Sequence, residues 1–215
     1  MIRRSHATVM LLLVILLFPT GCDRLPKRHI AGGSLRKGPG PSEVVTLINS
    51  ARVSGHFREL SRHVAADGAG AHVPVLLAVD QVLASNRALQ QDAGKRFGRA
   101  AVSSLDLSSI GNLYGVLSLD VKVILEDISG DRGHVMIQEG DNVPLIEVPV
   151  EWRKGRWLAF LERPEAGLAD RLNDLASELD GVRRRSLDSQ RCLADLQREF
   201  RYRVWPLIQE IADGA

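Results

Sequence analysis

Apolar and polar positions divide the chain into segments of different period. Residues 7–18 are apolar apart from Thr8. From Ser42 the period is helical. Val44, Val45, Leu47, Ile48, Ala51 and Val53 fall on one face, and Phe57, Leu60 and Val64 continue it beyond a possible break at Gly55. Ser42 is a good N-cap and Glu43 puts a carboxylate in the first turn. Asp67-Gly68-Ala69-Gly70 ends this stretch, and Pro74 suits the first turn of a second helix. Val75, Val79, Val82, Leu83 and Leu89 line that helix, which Phe97-Gly98 closes.

From about Ser118 the period falls to two. Leu119, Val121, Val123 and Leu125 alternate with Asp120, Lys122, Ile124 and Glu126. Ser129-Gly130-Asp131, Gly140-Asp141-Asn142 and Arg153-Lys154-Gly155 are turn sequences. They separate further strands at 134–138, 143–152 and 156–161, so the expectation is an antiparallel meander. Pro144 and Pro149 remove ladder donors and predict an edge or bulged strand. From Leu168 the chain is helical again, with Leu172, Leu175, Leu179 and Val182 at heptad spacing. Ser186 and Ser189 interrupt the register, and Leu193, Leu196 and Phe200 resume it. Pro206 should bend or end the helix near Trp205. The fold class expected is α+β: N-terminal helices with a curved antiparallel sheet, then a long C-terminal helix or helical hairpin.

Charge narrows the partners. The 215 residues hold 28 Lys and Arg against 26 Asp and Glu. Loss of an N-terminal segment carrying Arg3 and Arg4 would leave a neutral chain, which gives no case for nucleic-acid binding. Two cysteines, Cys22 and Cys192, exclude a disulfide framework and a multi-thiolate zinc site.

The 7–18 run follows Arg3-Arg4 and is shorter than the about 20 residues a membrane-spanning helix needs. It predicts a signal segment, with an uncleaved membrane anchor as the alternative. Phe18-Pro19-Thr20-Gly21-Cys22 follows and resembles the lipobox of bacterial lipoproteins, although Pro19 stands where that pattern prefers Leu. The resemblance implies cleavage before Cys22 and lipid on its thiol. It places the protein in the cell envelope on the extracytoplasmic side, without choosing between inner and outer membrane. Residues 22–41, rich in Gly and Pro, read as a flexible tether whose ends would lie roughly 25 Å apart. Arg24, Lys27, Arg28, Arg36 and Lys37 make it basic, either for anionic lipid or simply as a solvated linker. The expected organisation is a signal peptide at 1–21, the tether at 22–41, an α+β domain at 42–162 with its own core, and a helical segment at 163–215.

Two stretches resemble the nuclear transport factor 2-like superfamily. One is the opening Ser42–Ile48 with Ser54-Gly55-His56-Phe57-Arg58-Glu59-Leu60. The other is the closing Val150–Trp157 hairpin with its basic-Gly turn. The resemblance implies a cone-shaped sheet around an N-terminal helix, and enzymes of that superfamily use Asp, His or Tyr inside the cone.

Candidate chemistry is sparse. Asp106, Tyr114 and Asp120 lie near suitable segments but in no alignable motif, so no catalytic role is assigned. The histidines beyond the signal segment are His29, His56, His63, His72 and His134, and His56 and His63 read as surface residues. His56 and His63 could share a helix face but make a weak metal case. No HExxH, GxSxG or GxxxxGK[ST] string occurs, and Gly111-Asn112-Leu113-Tyr114-Gly115 is only a small-residue loop. No metal or cofactor is expected. Cys192 reads as a small buried residue or a reactive thiol. Arg183-Arg184-Arg185, Arg198, Arg201 and Arg203 interleave with acids as a salt-bridged face.

The seam Leu172, Leu175, Leu179, Val182, Leu193, Leu196 and Phe200 must find cover, either on its own domain or on a partner protein. The leading expectation is a membrane-tethered, non-enzymatic binding or accessory module. The alternatives are an enzyme or carrier of a small apolar ligand in the cone interior, and an assembly protein acting through the C-terminal helix.

Overall fold

The computed structural model describes residues 38–112, 115–139, 144–188 and 190–213, the side chains of 66–68, 109, 112 and 213 excepted. The expected signal segment, Cys22, most of the expected tether, His29, Tyr114 and the expected turn at Gly140-Asp141-Asn142 lie outside the described residues. Helix α1 spans Pro41–Val53, α2 Phe57–His63, α3 Ala66–Phe97 and α4 Arg99–Ser103. Two 3-10 turns follow, at Ser108–Asn112 and Gly115–Leu117. Strands β1 (Val121–Ser129), β2 (Arg132–Glu139), β3 (Ile146–Arg153) and β4 (Arg156–Ala159) form an antiparallel meander in the order β1-β2-β3-β4. Helices α5 (Leu168–Ser186), α6 (Leu193–Arg203) and α7 (Trp205–Asp213) close the chain. The class is therefore α+β.

Helix α1 begins two residues earlier than a Ser42 cap predicts. Pro41 occupies the first turn behind Gly40, and the Ser42 hydroxyl donates instead to the Glu126 carboxylate of β1 at 2.7 Å. Val44, Val45, Ile48 and Ala51 are buried, whereas Leu47 and Val53 fall off the inner face. Gly55, at φ +72°, breaks the helix where expected. The next boundary differs. Helix α3 starts at Ala66, runs through Gly68 and Gly70, and contains Pro74 in its interior. A glycine costs about 1 kcal/mol in a helix, and the burial of Ala69, Val75 and Leu76 outweighs that here.

The strands follow the alternation only in part. A bulge between Val123 and Leu125 shifts the register of β1 against β2. Leu125 therefore faces solvent beside Ile124, and Glu126 turns inward to Ser42. Pro149 lies on β3, an interior strand and not an edge. It is accommodated because the last β3–β4 pair is Val150 with Ala159, and its carbonyl accepts from Phe160 N–H at 2.8 Å just beyond. Lys154 and Gly155 both take positive φ, the geometry of a tight two-residue hairpin. Across that hairpin Trp152 and Trp157 meet edge to face, with ring centroids 5.8 Å apart.

Two apolar clusters hold these elements. The first joins α1, α2 and the inner sheet face through Val45, Ile48, Leu60, Val135, Ile137, Val148, Val150 and Trp157. The second joins α3 to the C-terminal helices, with Val79, Val82 and Leu89 against Leu172, Leu175, Leu179, Val182, Leu196 and Phe200. Helix α3 serves both, giving Ala69 and Leu76 to one and Val75 to Leu89 to the other. The core thus crosses the boundary drawn at 162. Arg52, 2% exposed at the end of α1, forms a double hydrogen bond with Asp80 of α3 at 2.6 and 3.1 Å. Arg96 donates to the carbonyls of Ser186 and Arg191, tying the end of α3 to the α5–α6 turn.

Candidate ligand cavity

Most residues singled out in the sequence are not brought together. Asp106 is exposed and accepts from the backbone N–H of Ser108 at 3.0 Å, which caps the 3-10 turn and holds its carboxyl below the ordinary range. Asp120 faces solvent. His56 precedes α2 and His63 ends it, and His134 is exposed on β2. Among the described residues no group of three His, Cys, Asp or Glu side chains could hold a metal ion. Cys192 is exposed and not buried; its thiol and backbone N–H both lie 3.1 Å from an Asp195 carboxylate oxygen, capping α6.

The seam is covered within the chain. Leu172, Leu175, Leu179, Val182, Leu196 and Phe200 are buried in the α3 cluster, and Leu193 packs partly buried beside them. They do not form an open partner surface. The expected salt-bridged face is present in α5 and α6, where Glu199 receives Arg185, Arg191 and Arg203, and Glu178 receives Arg185 at 2.8 Å.

A cavity of about 670 Å³ opens where four separated segments meet. The first turns of α3 bring His72, the 3-10 turn brings Val116 and Leu117, and β3 brings Ile146 and Val148. The strap between β4 and α5 closes it with Phe160, Leu161 and Leu168. Local sequence explains the strap. Pro164 prevents helix, and Gly167 at φ +80° reverses the chain into α5. Glu165 is held to Arg171 at 2.5 Å, fixing the strap to the first turn of α5.

The walls are mainly apolar, and the charged groups Glu147, Glu162, Arg163 and Glu165 are exposed around them. A volume of this order matches small-molecule sites, about 300–1,000 Å³ with apolar walls and a few polar groups. His72 is the half-buried polar member. Burial pushes its pKa below the ordinary 6.5, and a hydrogen bond to the Glu162 backbone opposes that shift. Its Nε2 is buried without a hydrogen-bond partner among the described residues. His63 is also lowered, first by burial and then by nearby Arg156. In the unfolded chain both rings take up protons near 6.5, while the folded protein resists doing so. Stability should therefore fall as pH drops through and below 6.5. Urea unfolding of wild type and His72→Leu between pH 7.5 and 5 checks this, and the variant should show the shallower dependence.

No sequence motif announces this cavity, because its walls come from positions 72, 115–117, 146–149 and 160–168. Of its members Gly115, Pro149 and Leu168 carry only structural signals in the sequence, and His72 is one histidine among several without a motif. Comparison of the chain with protein-family models, with curated proteins and with solved structures finds no match.

Proposed function

We propose that the protein is an envelope lipoprotein whose folded body is a non-enzymatic binding module for a small, mainly apolar molecule. The observation that carries the binding reading is the apolar cavity of about 670 Å³ under the 160–168 strap. The buried seam favours a ligand over an assembly role, because the strongest apolar stripe of the C-terminal helices is used inside the chain. The absence of a recognisable acid–base or nucleophile constellation among the described residues leaves binding as the simplest use of the cavity. The resemblance to the nuclear transport factor 2-like superfamily enters the same reading, with α1 packed on one face of an antiparallel sheet. The long α3 and the C-terminal helices are additions to that pattern.

Residues 37–215 form one compact unit containing both clusters. That unit can therefore be tested in buffer without detergent. N-phenyl-1-naphthylamine should bind saturably with a rise in fluorescence. Leu161→Trp and Ile146→Trp place an indole from partly buried positions into the cavity and should abolish the rise while leaving the fold intact. Probe binding that survives both substitutions would remove the cavity from the account.

Lipidation has its own test in a bacterial host. Wild type should yield a chain beginning at Cys22 and carrying acyl label, and Cys22→Ala an uncleaved, unlabelled precursor. A chain starting at Cys22 without lipid contradicts the anchor.

A further inference from the structure

The outer face of α6 and the start of α7 is unlike the rest of the C-terminal helices. Their inner faces bury Leu196, Phe200, Val204 and Ile211 in the α3 cluster. Opposite them Tyr202 is 72% and Trp205 50% exposed, so neither ring contributes to the core. Residues 198, 202 and 205 recur at helical spacing, which stacks Arg198, Tyr202 and Trp205 along one outward stripe. Arg201 is exposed beside them and has no ion-pair partner among the described residues. Arg198 reaches Asp195 only at 3.8 Å and is itself 67% exposed. The neighbouring Arg203, by contrast, is engaged with Glu178 and Glu199 at 3.6 Å.

Two large amphipathic rings framed by solvated guanidinium groups match the boundary of a bilayer. There Trp and Tyr settle at headgroup level and basic side chains meet lipid phosphates. Each base near an anionic surface adds to the attraction, and the patch has one acid, Asp195, against two bases. We infer that the Arg198–Arg201–Tyr202–Trp205 face docks on the surface of an anionic phospholipid bilayer, with the two rings at headgroup depth. Helices α6 and α7 would then lie along the membrane, and none of the described helices is long and apolar enough to cross it. The inference does not depend on the cavity reading. It requires a membrane but not lipid on Cys22.

The test reads Trp205 itself. The full chain is reconstituted with vesicles of phosphatidylglycerol and phosphatidylcholine carrying bromine high on the acyl chains, and in parallel with vesicles of brominated phosphatidylcholine alone. Subtracting the emission of Trp205→Phe isolates the indole from Trp152 and Trp157. On anionic vesicles the Trp205 emission should move to shorter wavelength and lose most of its intensity. On uncharged vesicles, and in Arg198→Glu/Arg201→Glu on anionic ones, the shift and the loss should be small. Circular dichroism melting, expected to be unchanged, verifies that these surface variants fold. Emission unaffected by anionic lipid, or quenching equal on both vesicles, overturns the proposal. A blue shift that follows protein concentration and ignores the bromines assigns the face to a second copy of the chain and overturns it too.

Discussion

Removal of residues 163–215 should turn the folded body into a collapsed state that binds hydrophobic dyes and has lost near-ultraviolet circular dichroism. The cause is the second face of α3. Val79, Val82 and Leu89 are fully buried there, and Leu172, Leu175, Leu179, Val182, Leu196 and Phe200 cover them. Burying one Leu is worth about 1.5–3 kcal/mol, and a domain of ordinary stability has only about 5–15 kcal/mol in total. Losing several such contacts at once exceeds that margin. Single substitutions grade the effect. Leu175→Ala should cost about 3–5 kcal/mol as a cavity in a packed site. Leu175→Asp adds a buried carboxylate and should prevent folding. Because the seam is covered by its own chain, the loss in melting temperature for Leu196→Ala should be the same at low and high protein concentration. A loss that appears only on dilution would move the seam to a partner.

The Arg52–Asp80 pair should respond asymmetrically to removal of either partner. Arg52 is 2% exposed, whereas the Asp80 side chain is 42% exposed. Asp80→Ala leaves a guanidinium inside the protein beside the Phe57 ring with no counter-charge. Truncating a buried pair in this way costs about 3–5 kcal/mol, and partial access of water at Asp80 puts the expectation near the lower end. Arg52→Met removes the charge and retains an apolar stem, while Asp80 can hydrate. Removing the buried charge also removes its desolvation penalty, so this variant should lose less stability than the one that leaves the guanidinium unpaired. Urea titrations should therefore rank Asp80→Ala well below Arg52→Met in stability. The reverse order would show that Arg52 is held by packing alone.

Local rules made the sheet legible, because the turns at Gly130 and at Lys154-Gly155 depend on residues within them. The bulge in β1 was not legible, since it belongs to the pairing of β1 with β2 and moves Leu125 and Glu126 without any local signal. The start of α3 departs from the local pattern for a related reason. Gly68 and Gly70 disfavour helix locally, but Ala69 and Leu76 are buried against the sheet cluster and decide the matter. The apolar seam of α5 and α6 announced that it needed cover and did not name the covering surface. Within the cavity, Phe160 and Leu161 read only as strand residues, and Val116 falls in no element that the pattern predicts. Concavity arises from how distant segments meet, and a periodic pattern carries no record of that.

Methyl-resolved NMR of residues 37–215 during titration with N-phenyl-1-naphthylamine is the most direct test of the binding reading. Saturable shifts should be confined to Val116, Leu117, Ile146, Val148, Leu161 and Leu168, with Leu172 and Leu175 of the neighbouring core unmoved. Shifts centred instead on the exposed Ile124, Leu125 or Leu77, or shifts that never saturate, would contradict a ligand site under the strap.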